Sequence, residues 1–340
     1  MKNIVIKSNE SEQRLDKFLK KYLRQAPGSF IYKMLRKKNI TLNGRKATGS
    51  EKLREGDEVK LYLSDETLGK FTGDMEKPVE EKEKVRLDII YEDADVLLVN
   101  KPAGMLSQKA DKTDVSLVEH IISYLLDSGQ ITAEELRTFR PSICNRLDRN
   151  TSGLVAAGKS LGALQAFGGL FRERNLKKYY LCFVKGRVDK KEHIRGYLNK
   201  NEQTNQVKIY QTPKNKDSAP VETEYIPIAY SQKITLLKVH LITGRTHQIR
   251  AHLASVSHPL IGDYKYGDKA VNDRYKKTYG ITAQMLHSYE LSLPATDGAL
   301  SSLSGRCFRA PVPEIFERLI KETAWEHGTQ EALEVLHWKI

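Results

Sequence analysis

One short segment concentrates charged and turn-forming residues between two apolar runs. Residues 145–153 read Asn-Arg-Leu-Asp-Arg-Asn-Thr-Ser-Gly, with Asp148 between Arg146 and Arg149. Because neighbouring cations favour the charged form of a carboxyl group, we expect Asp148 to be ionised. An ionised carboxylate can attack an electrophilic carbon or accept a proton. Taken alone, the segment is equally compatible with an ordinary ion pair in a surface turn.

A second polar segment, residues 243–252, reads Thr-Gly-Arg-Thr-His-Gln-Ile-Arg-Ala-His. If a helix begins inside it, His247 and Arg250 share one face, and Gln248 and His252 share another. The histidines are five residues apart with no Glu between them, so the competing interpretation, a metal site, is disfavoured. A guanidinium that binds a carboxylate or phosphate through its planar fork suits the segment better.

Two further features bear on chemistry. Alternation in residues 177–186 predicts a strand with Tyr180 on an inward face, where a tyrosine either joins the core or stacks on a nucleobase. The cysteines, Cys144, Cys182 and Cys307, lack metal-ligand spacing and predict reduced thiols in a cytosolic protein. Cys144 lies near Asp148 and is an alternative nucleophile, although the carboxylate is the better candidate.

The first 64 residues form a small basic unit. Apolar residues at helical spacing predict one helix around residues 14–23, and Ser29 is the expected N-cap of a second. Asn43-Gly44 predicts a hairpin, and alternation up to residue 63 predicts a strand. One side of the second helix is basic and suits phosphate binding. These basic residues are Lys33, Arg36, Lys37 and Lys38.

The rest of the chain mixes strands and helices without a regular βαβ rhythm, which favours an α+β fold. Residues 65–84 are charged and poor in apolar side chains, and they predict a flexible linker. Strands are predicted at 96–99, 154–157, 179–184 and 234–242, and helices at 116–126, 161–171 and from about 246. The tail from about Lys321 includes a helical pattern at 331–338, without an assigned role.

Composition limits the classes of function. The 340 residues suggest two or three domains, and 39% hydrophobic residues suffice for a packed core. The net charge is +13, and residues 1–64 carry 16 Lys and Arg against 7 Asp and Glu, which favours a polyanionic partner. A basic surface without a partner is the alternative. Neither a membrane span nor a signal peptide is visible, so we expect a cytoplasmic protein.

Several of these segments resemble known families. Arg14-Leu-Asp-Lys-Phe-Leu, Asn43-Gly44 and Leu53-Arg-Glu-Gly-Asp-Glu-Val resemble the S4 RNA-binding module. NRLDRNTSG, KYYLCFVKG and TGRTHQIRAHL resemble, in this order, three motifs of the RluA-type pseudouridine synthases. DVLLVNKPAG from Asp95 and HPLIGDYKYG from His258 resemble further family segments. Two departures are Asn145, where the family usually has His, and Cys182, where Ala is common.

The resemblance implies an α+β fold with a mixed, mainly antiparallel sheet and flanking helices, preceded by a small S4-like module. It divides the chain into an RNA-binding module (1–64), the linker (65–84), a catalytic domain (85–320) and a C-terminal extension (321–340). The implied reaction converts uridine in structured RNA to pseudouridine. It needs no cofactor and no metal, and neither a membrane nor a protein partner is implied. Ribosomal RNA of the large subunit is the first expectation and transfer RNA the second.

By the same resemblance, Asp148 is the catalytic carboxylate, Arg250 pairs with it, Tyr180 stacks on the uracil and Arg146 helps fill the space left by the flipped base. Whether the carboxylate attacks C1′ or removes the C2′ proton stays open. Further residues are expected to bind substrate or RNA: Arg149, Thr151, Arg245, His247, Gln248, Lys33, Arg36, Lys37 and Lys38. A nucleosidase or RNA glycosylase, which would release uracil, and a non-catalytic RNA-binding factor are the rival functions.

Overall fold

The computed structural model describes residues 1–73, 85–111, 113–201 and 203–337. The strands are β1 (Lys2–Val5), β2 (Ile40–Leu42), β3 (Arg45–Lys46), β4 (Glu58–Leu61), β5 (Ile89–Glu92), β6 (Val96–Lys101), β7 (Ser142–Ile143), β8 (Ser152–Gly158), β9 (Lys177–Lys185), β10 (Glu192–Asn201), β11 (Gln206–Tyr210), β12 (Ala219–Tyr230), β13 (Ile234–Leu241), β14 (Leu286–Ser292) and β15 (Cys307–Arg309). The helices are α1 (Leu15–Tyr22), α2 (Gly28–Arg36), α3 (Asp65–Thr72), α4 (Leu117–Asp127), α5 (Leu161–Glu173), α6 (Gln248–Ser255), α7 (Lys269–Tyr279), α8 (Glu314–Glu322) and α9 (Thr329–Glu334).

The chain divides into two compact units. The first comprises Met1–Val85, Glu119–Ser142 and Lys159–Gly162, and the second comprises Arg86–Val118, Ile143–Gly158 and Ala163–Ile340. The domain boundaries predicted from the sequence stay predictions. The sequence did not indicate that residues 119–142 would group with the N-terminal residues. Within the first unit, the Tyr22 hydroxyl donates a hydrogen bond of 2.8 Å to the carboxylate of Glu134 in that segment.

The first unit contains an antiparallel sheet with the strand order β1-β4-β2-β3. The predicted hairpin is confirmed, because β2 and β3 flank Asn43 and Gly44. Their φ angles are 50° and 72°, the left-handed values that a two-residue hairpin turn requires and that Asn-Gly tolerates. The predicted first helix is also confirmed, and it buries Leu15 and Phe18 in the core of this unit.

Two predictions for this unit are wrong in part. Helix α2 begins two residues earlier than expected, with Pro27 rather than Ser29 as its N-cap, because the fixed φ of proline already suits the boundary. Residues 65–72 of the expected linker form helix α3. The Ser64 hydroxyl caps that helix, and Phe71 packs against the core of the unit. The remainder of the expected linker, residues 74–84, lies outside the described residues.

The second unit is built on a sheet with the strand order β11-β10-β12-β13-β9-β14-β8-β6-β5, and β15 pairs with β14. The neighbours along this path are antiparallel except β14 and β8, which confirms the expected mixed, mainly antiparallel sheet. The parallel pair needs a close approach at Gly153, whose φ is 110°. A Cβ atom there would lie 2.2 Å from the Ser288 carbonyl oxygen. Only glycine therefore fits where the 145–153 segment enters β8.

Apolar residues from strands and helices fill the second unit. One core cluster joins Phe167 of α5 to β6 and β8, and another joins Phe183 of β9 to Phe316 of α8. The C-terminal helix α9 belongs to the second cluster through Ala332, so the helical pattern seen in the tail contributes to the core. Each helix in the described part of the chain falls short of the length and apolarity that a bilayer crossing requires.

Two histidines of this unit are buried without a carboxylate partner among the described residues. His287 on β14 receives a hydrogen bond from Ser152 at Nδ1 and faces the Ala310 carbonyl with Nε2. His252 on α6 lies 3.0 Å from the Thr223 hydroxyl. Burial lowers the pKa of each imidazole from 6.5 to about 4. Both rings are therefore neutral in the folded protein at pH 7.

These histidines should make the fold sensitive to acid. Between pH 6.5 and 4 the unfolded chain binds protons that the folded chain excludes, so stability should fall as the pH falls, by up to about 3 kcal/mol per histidine. The measurement is urea unfolding at pH 7, 6, 5 and 4.5. His287→Gln should flatten this pH dependence, whereas His337→Gln, at an exposed position, should not. If the free energy of unfolding depended equally on pH in both variants, burial of His287 would not be the cause of the acid sensitivity.

Candidate active site

A cavity of about 930 Å³ opens in the second unit. The polar segments 144–151 and 241–250 line it, and Tyr180 of β9 contributes to its wall. The turn before β8 supplies the first segment, and the connection from β13 to α6 supplies the second. The sheet thus brings together residues that are about a hundred positions apart in the sequence.

Asp148 and Arg250 form the central interaction of this cavity. Nη1 of Arg250 donates a hydrogen bond of 2.9 Å to Oδ2 of Asp148. The other side of the guanidinium binds Asp263 through two hydrogen bonds, Nε to Oδ2 at 2.7 Å and Nη2 to Oδ1 at 2.9 Å. The side chain of Asp148 is 26% exposed and that of Asp263 only 1%. One carboxylate therefore faces the cavity, and the other anchors the arginine from behind.

The loop before α7 holds Asp263 rigidly. Its Oδ1 also accepts hydrogen bonds from the backbone N–H groups of Lys265 and Tyr266, at 2.9 and 3.1 Å. Burial disfavours the charged form, but the hydrogen bonds and the charge of Arg250, with these backbone donors, lower the pKa of Asp263 below its usual 3.8. For Arg250 burial is likewise outweighed, and its two carboxylate partners raise its pKa. The ion pair is therefore fully charged at neutral pH.

A buried lysine fastens the turn that carries Asp148. The ammonium of Lys101 donates hydrogen bonds to the carbonyl oxygens of Pro102 and Met105, both at 2.8 Å, and of Arg149, at 3.1 Å. Burial lowers its pKa to about 8, although the charge of Asp148 acts in the opposite direction. Lys101 therefore joins the end of β6 to the residue after Asp148 and fixes the backbone of the turn.

Tyr180 and His247 form two further parts of the wall. Burial raises the pKa of Tyr180 to about 12, so the phenol is protonated at neutral pH. His247 precedes α6 with a left-handed φ of 53°, and its Nε2 lies 3.8 Å from Oδ2 of Asp148. Burial lowers its pKa below 6.5 more than the charge of Asp148 raises it. At pH 7 both rings are therefore neutral surfaces beside the carboxylate.

Gln248 fixes the start of α6. Its Oε1 accepts hydrogen bonds from the Thr243 hydroxyl at 2.7 Å and from the Arg245 backbone at 3.1 Å. Its Nε2 donates to the Glu222 carbonyl and the Thr223 hydroxyl, both at 3.0 Å. A glutamine amide has two donor hydrogens and two acceptor positions, so all of them are used inside the protein. Gln248 therefore orients the helix that carries Arg250 and has no hydrogen-bonding capacity left for RNA.

Comparison with known proteins decides the family. A family model described as RNA pseudouridylate synthase matches residues 95–255, and an S4 domain model matches residues 13–59. The ribosomal large subunit pseudouridine synthase C of Vibrio vulnificus is 30% identical over 319 residues, which cover 91% of this chain and 92% of the relative. The chain belongs to the RNA pseudouridylate synthase family. It is a pseudouridine synthase, an isomerase that acts on RNA.

Further relatives of the synthase agree. An RNA pseudouridine synthase of Aquifex aeolicus, itself uncharacterized, is 34% identical over 264 residues, covering 76% of this chain and 78% of the relative. The solved structure of human RNA pseudouridylate synthase domain containing 1 superposes with a TM-score of 0.54. That structure is 21% identical, and the match covers 75% of this chain and 96% of the human one, so it supports the fold alone.

The residues predicted for the synthase site fall into four groups. Asp148, Arg250, Tyr180 and His247 meet as described. Arg146, Arg149 and Arg245 line the same cavity with exposed side chains. Thr151 and Gln248, which were also expected to bind substrate, line the cavity too, but both are buried. The backbone N–H of Thr151 donates to the Asp148 carbonyl, which closes the turn.

The remaining predicted residues lie elsewhere, and one departure from the family pattern is explained. Lys33, Arg36, Lys37 and Lys38 are exposed on or just after α2 in the first unit and are not part of the cavity. Asn145 accepts a hydrogen bond from the Ala156 backbone at 2.8 Å and donates to the Leu154 carbonyl at 3.3 Å. It therefore secures the turn to β8.

Sequence reasoning missed Asp263 and Lys101 as parts of the site. Both stand inside segments that resemble the family, DVLLVNKPAG and HPLIGDYKYG. A charged residue within an otherwise apolar or turn-forming segment was the available signal. Among the described residues, no three His, Cys, Asp or Glu side chains cluster in a way that could hold a metal ion. Among the described residues that line the cavity, Asp148 is the carboxylate, Arg250 orients it, and Tyr180 forms an aromatic part of the wall.

Asp263→Asn tests the role of the buried anchor. The neutral amide leaves Arg250 short of one charged partner, so we expect a loss of about 3–5 kcal/mol in the free energy of unfolding. Because Arg250 then loses its fixed orientation, kcat should fall roughly 10²-fold. Urea unfolding and steady-state kinetics measure the two effects. The matched control is Asp273→Asn, an exposed carboxylate bound to the Tyr264 hydroxyl. An unchanged kcat in Asp263→Asn would refute the role.

Proposed function

We propose that the synthase isomerises uridines in large-subunit ribosomal RNA in the cytoplasm, with Asp148 as its catalytic carboxylate. The observation that carries this proposal is the placement of Asp148 at 2.9 Å from the buried guanidinium of Arg250, in a cavity walled by Tyr180. The ribosomal substrate is inferred from relatives in three Vibrio species named ribosomal large subunit pseudouridine synthase C, and from the matching S4 domain.

The reaction rearranges bonds within one nucleotide. The N1–C1′ bond of uridine breaks, the uracil turns over, C5 bonds to C1′, and the proton on C5 leaves as N1 gains one. Tyr180 provides an aromatic face for the uracil, and Arg250 holds the Asp148 carboxylate towards the ribose. Asp148 either attacks C1′ or removes the C2′ proton to start the cleavage. The base must leave its stack to enter the cavity, which costs a few kcal/mol and is easiest in a loop or bulge.

In this proposal the basic residues of α2 supply affinity for the RNA, separately from the chemistry in the cavity. Lys33, Arg36, Lys37 and Lys38 are exposed and carry four positive charges within six residues. Contacts of such side chains with phosphates release counterions and contribute little sequence choice. The S4 module would then raise the concentration of RNA near the cavity, while the cavity selects the uridine.

Asp148→Asn is the first test. We expect release of tritium from RNA containing 5-tritiated uridine to fall at least roughly 10³-fold, because the amide can neither attack nor accept a proton efficiently. Binding of the same RNA should persist. Asp217→Asn, at an exposed position outside the cavity lining, is the control. Near-normal turnover by Asp148→Asn would disprove the assignment, and free uracil as the product would indicate a glycosylase instead.

The ribosomal target is tested by pseudouridine mapping of total RNA from cells with and without the protein. Positions in large-subunit ribosomal RNA should lose the modification when the protein is absent. Loss confined to transfer RNA would overturn the ribosomal target and leave the assignment of Asp148 intact.

Neutralising the basic residues of α2 tests the module. Replacing Lys33, Arg36, Lys37 and Lys38 by Gln should weaken RNA binding and reduce the slope of log affinity against log salt by up to about 3, since each phosphate contact contributes about 0.7–0.9. Fluorescence anisotropy between 50 and 200 mM salt measures this slope. Lys276→Gln with Lys277→Gln, on the exposed side of α7, is the control. An unchanged slope would exclude α2 as an RNA contact.

A further inference from the structure

The cavity is strongly basic. Among the described residues that line it, Asp148 is the one carboxylate, and nine side chains are cationic. The nine are Arg146, Arg149, Arg172, Arg174, Lys178, Lys200, Arg245, Arg250 and Lys265. Arg250 is committed to its two carboxylates, and most of the others are exposed to solvent. Lys178 differs from Arg250 and from the exposed cations, since it is partly buried and no carboxylate of the described residues pairs with it.

Lys178 lies on β9 two residues before Tyr180, so both side chains point to the same face of the sheet. Its ammonium makes no hydrogen bond or ion pair with the described residues. One neighbour is the ring of Phe171, whose centroid is 5.8 Å away. On another side is Gly244, where a Cβ atom would lie 3.6 Å from the ammonium nitrogen. The ammonium group of Lys178 therefore lies between the ring of Phe171 and the backbone at Gly244.

Arg174 places a second positive charge near Lys178. Arg174 follows α5 with a left-handed φ of 61°, an uncommon conformation for a residue with a side chain, and it lines the cavity. Burial lowers the pKa of Lys178 below 10.5, and the charge of Arg174 lowers it further. Two like charges with no carboxylate between them on the described chain repel each other. An anion from outside would relieve this repulsion and replace the water that Lys178 has lost.

We propose that Lys178 and Arg174 bind a phosphate of the RNA backbone beside the target uridine. This inference rests on the proposed function and adds a subsite to it. Lys178 and Tyr180 are about 7 Å apart along β9, which is within the span of one nucleotide whose base stacks on the tyrosine. Lysine binds phosphate as a point charge, and the exposed backbone at Gly244 leaves room for the oxygen atoms. The subsite therefore positions the ribose above Asp148 by fixing the strand on one side of it.

Lys178→Met tests the subsite, and the adjacent Lys177→Met is the matched control, because Lys177 lies on the opposite face of β9 and is exposed. We expect Lys178→Met to bind RNA roughly tenfold more weakly at low salt. The slope of log affinity against log salt should shrink by about 0.7, the contribution of one single-strand phosphate. Lys178→Arg should retain the slope. Equal affinities and slopes for Lys178→Met and Lys177→Met would overturn the proposal.

Uncharged backbone linkages locate the phosphate. Short RNAs that contain the mapped uridine are made with a single methylphosphonate at each flanking linkage in turn. One linkage should weaken binding by the wild-type enzyme and leave binding by Lys178→Met unchanged. If Lys178→Met does not fold, Arg174→Gln, at an exposed position, takes its place in both experiments. If each methylphosphonate weakened RNA binding equally in the wild type and in the variant, the subsite would be refuted. A wild-type enzyme that forms no pseudouridine would instead refute the proposed function.

Discussion

The guanidinium of Arg250 is the part on which the rest of the site depends. It is largely buried, and a buried cation without partners would cost several kcal/mol. Two hydrogen bonds to Asp263 fix the plane of the group, and a third directs it at Asp148. Because the fork is planar, the position of Asp263 determines where the remaining N–H points. A carboxylate anchored behind the cavity thereby sets the position of the one that faces it.

The strand order of the second unit's sheet brings the residues of this site together. Asp148 precedes β8, Tyr180 lies on β9, and Arg250 lies on the helix after β13. β14 runs between β8 and β9, parallel to the first and antiparallel to the second, so these elements are held in register by backbone hydrogen bonds. Buried polar side chains fix the irregular segments that lie outside the strand pairing. Lys101 binds the backbone of the turn that carries Asp148, and Gln248 binds the backbone near the start of α6. The apolar cores hold the sheet, and these buried polar groups hold the site on it.

The sequence predicted the elements whose pattern is local. The alternation in β9, the apolar spacing in α1 and the Asn43-Gly44 turn each depend on near neighbours in the chain, and each is found as expected. The pairing of Arg250 with Asp263 was not predicted, because a charged residue in a turn-forming segment does not reveal which distant side chain it binds. The same reason explains α3, whose helix is decided by packing of Leu68 and Phe71 against a distant core. For Gln248 the family resemblance led to the expectation of a contact with substrate or RNA, but in the folded protein its amide bonds to protein groups.

The charge balance of the cavity explains why a second carboxylate is needed. A cavity lined by so many cations attracts phosphates, but the same cations would also stabilise Asp148 as an inert ion-pair partner. Asp263 already neutralises the charge of Arg250 through two hydrogen bonds, of 2.7 and 2.9 Å. The Asp148–Arg250–Asp263 group therefore carries a net negative charge, and this charge resides on the carboxylate that remains partly exposed. In the proposed reaction, Arg250 would thus orient Asp148 without cancelling its negative charge, and the surrounding lysines and arginines would be left to bind the RNA.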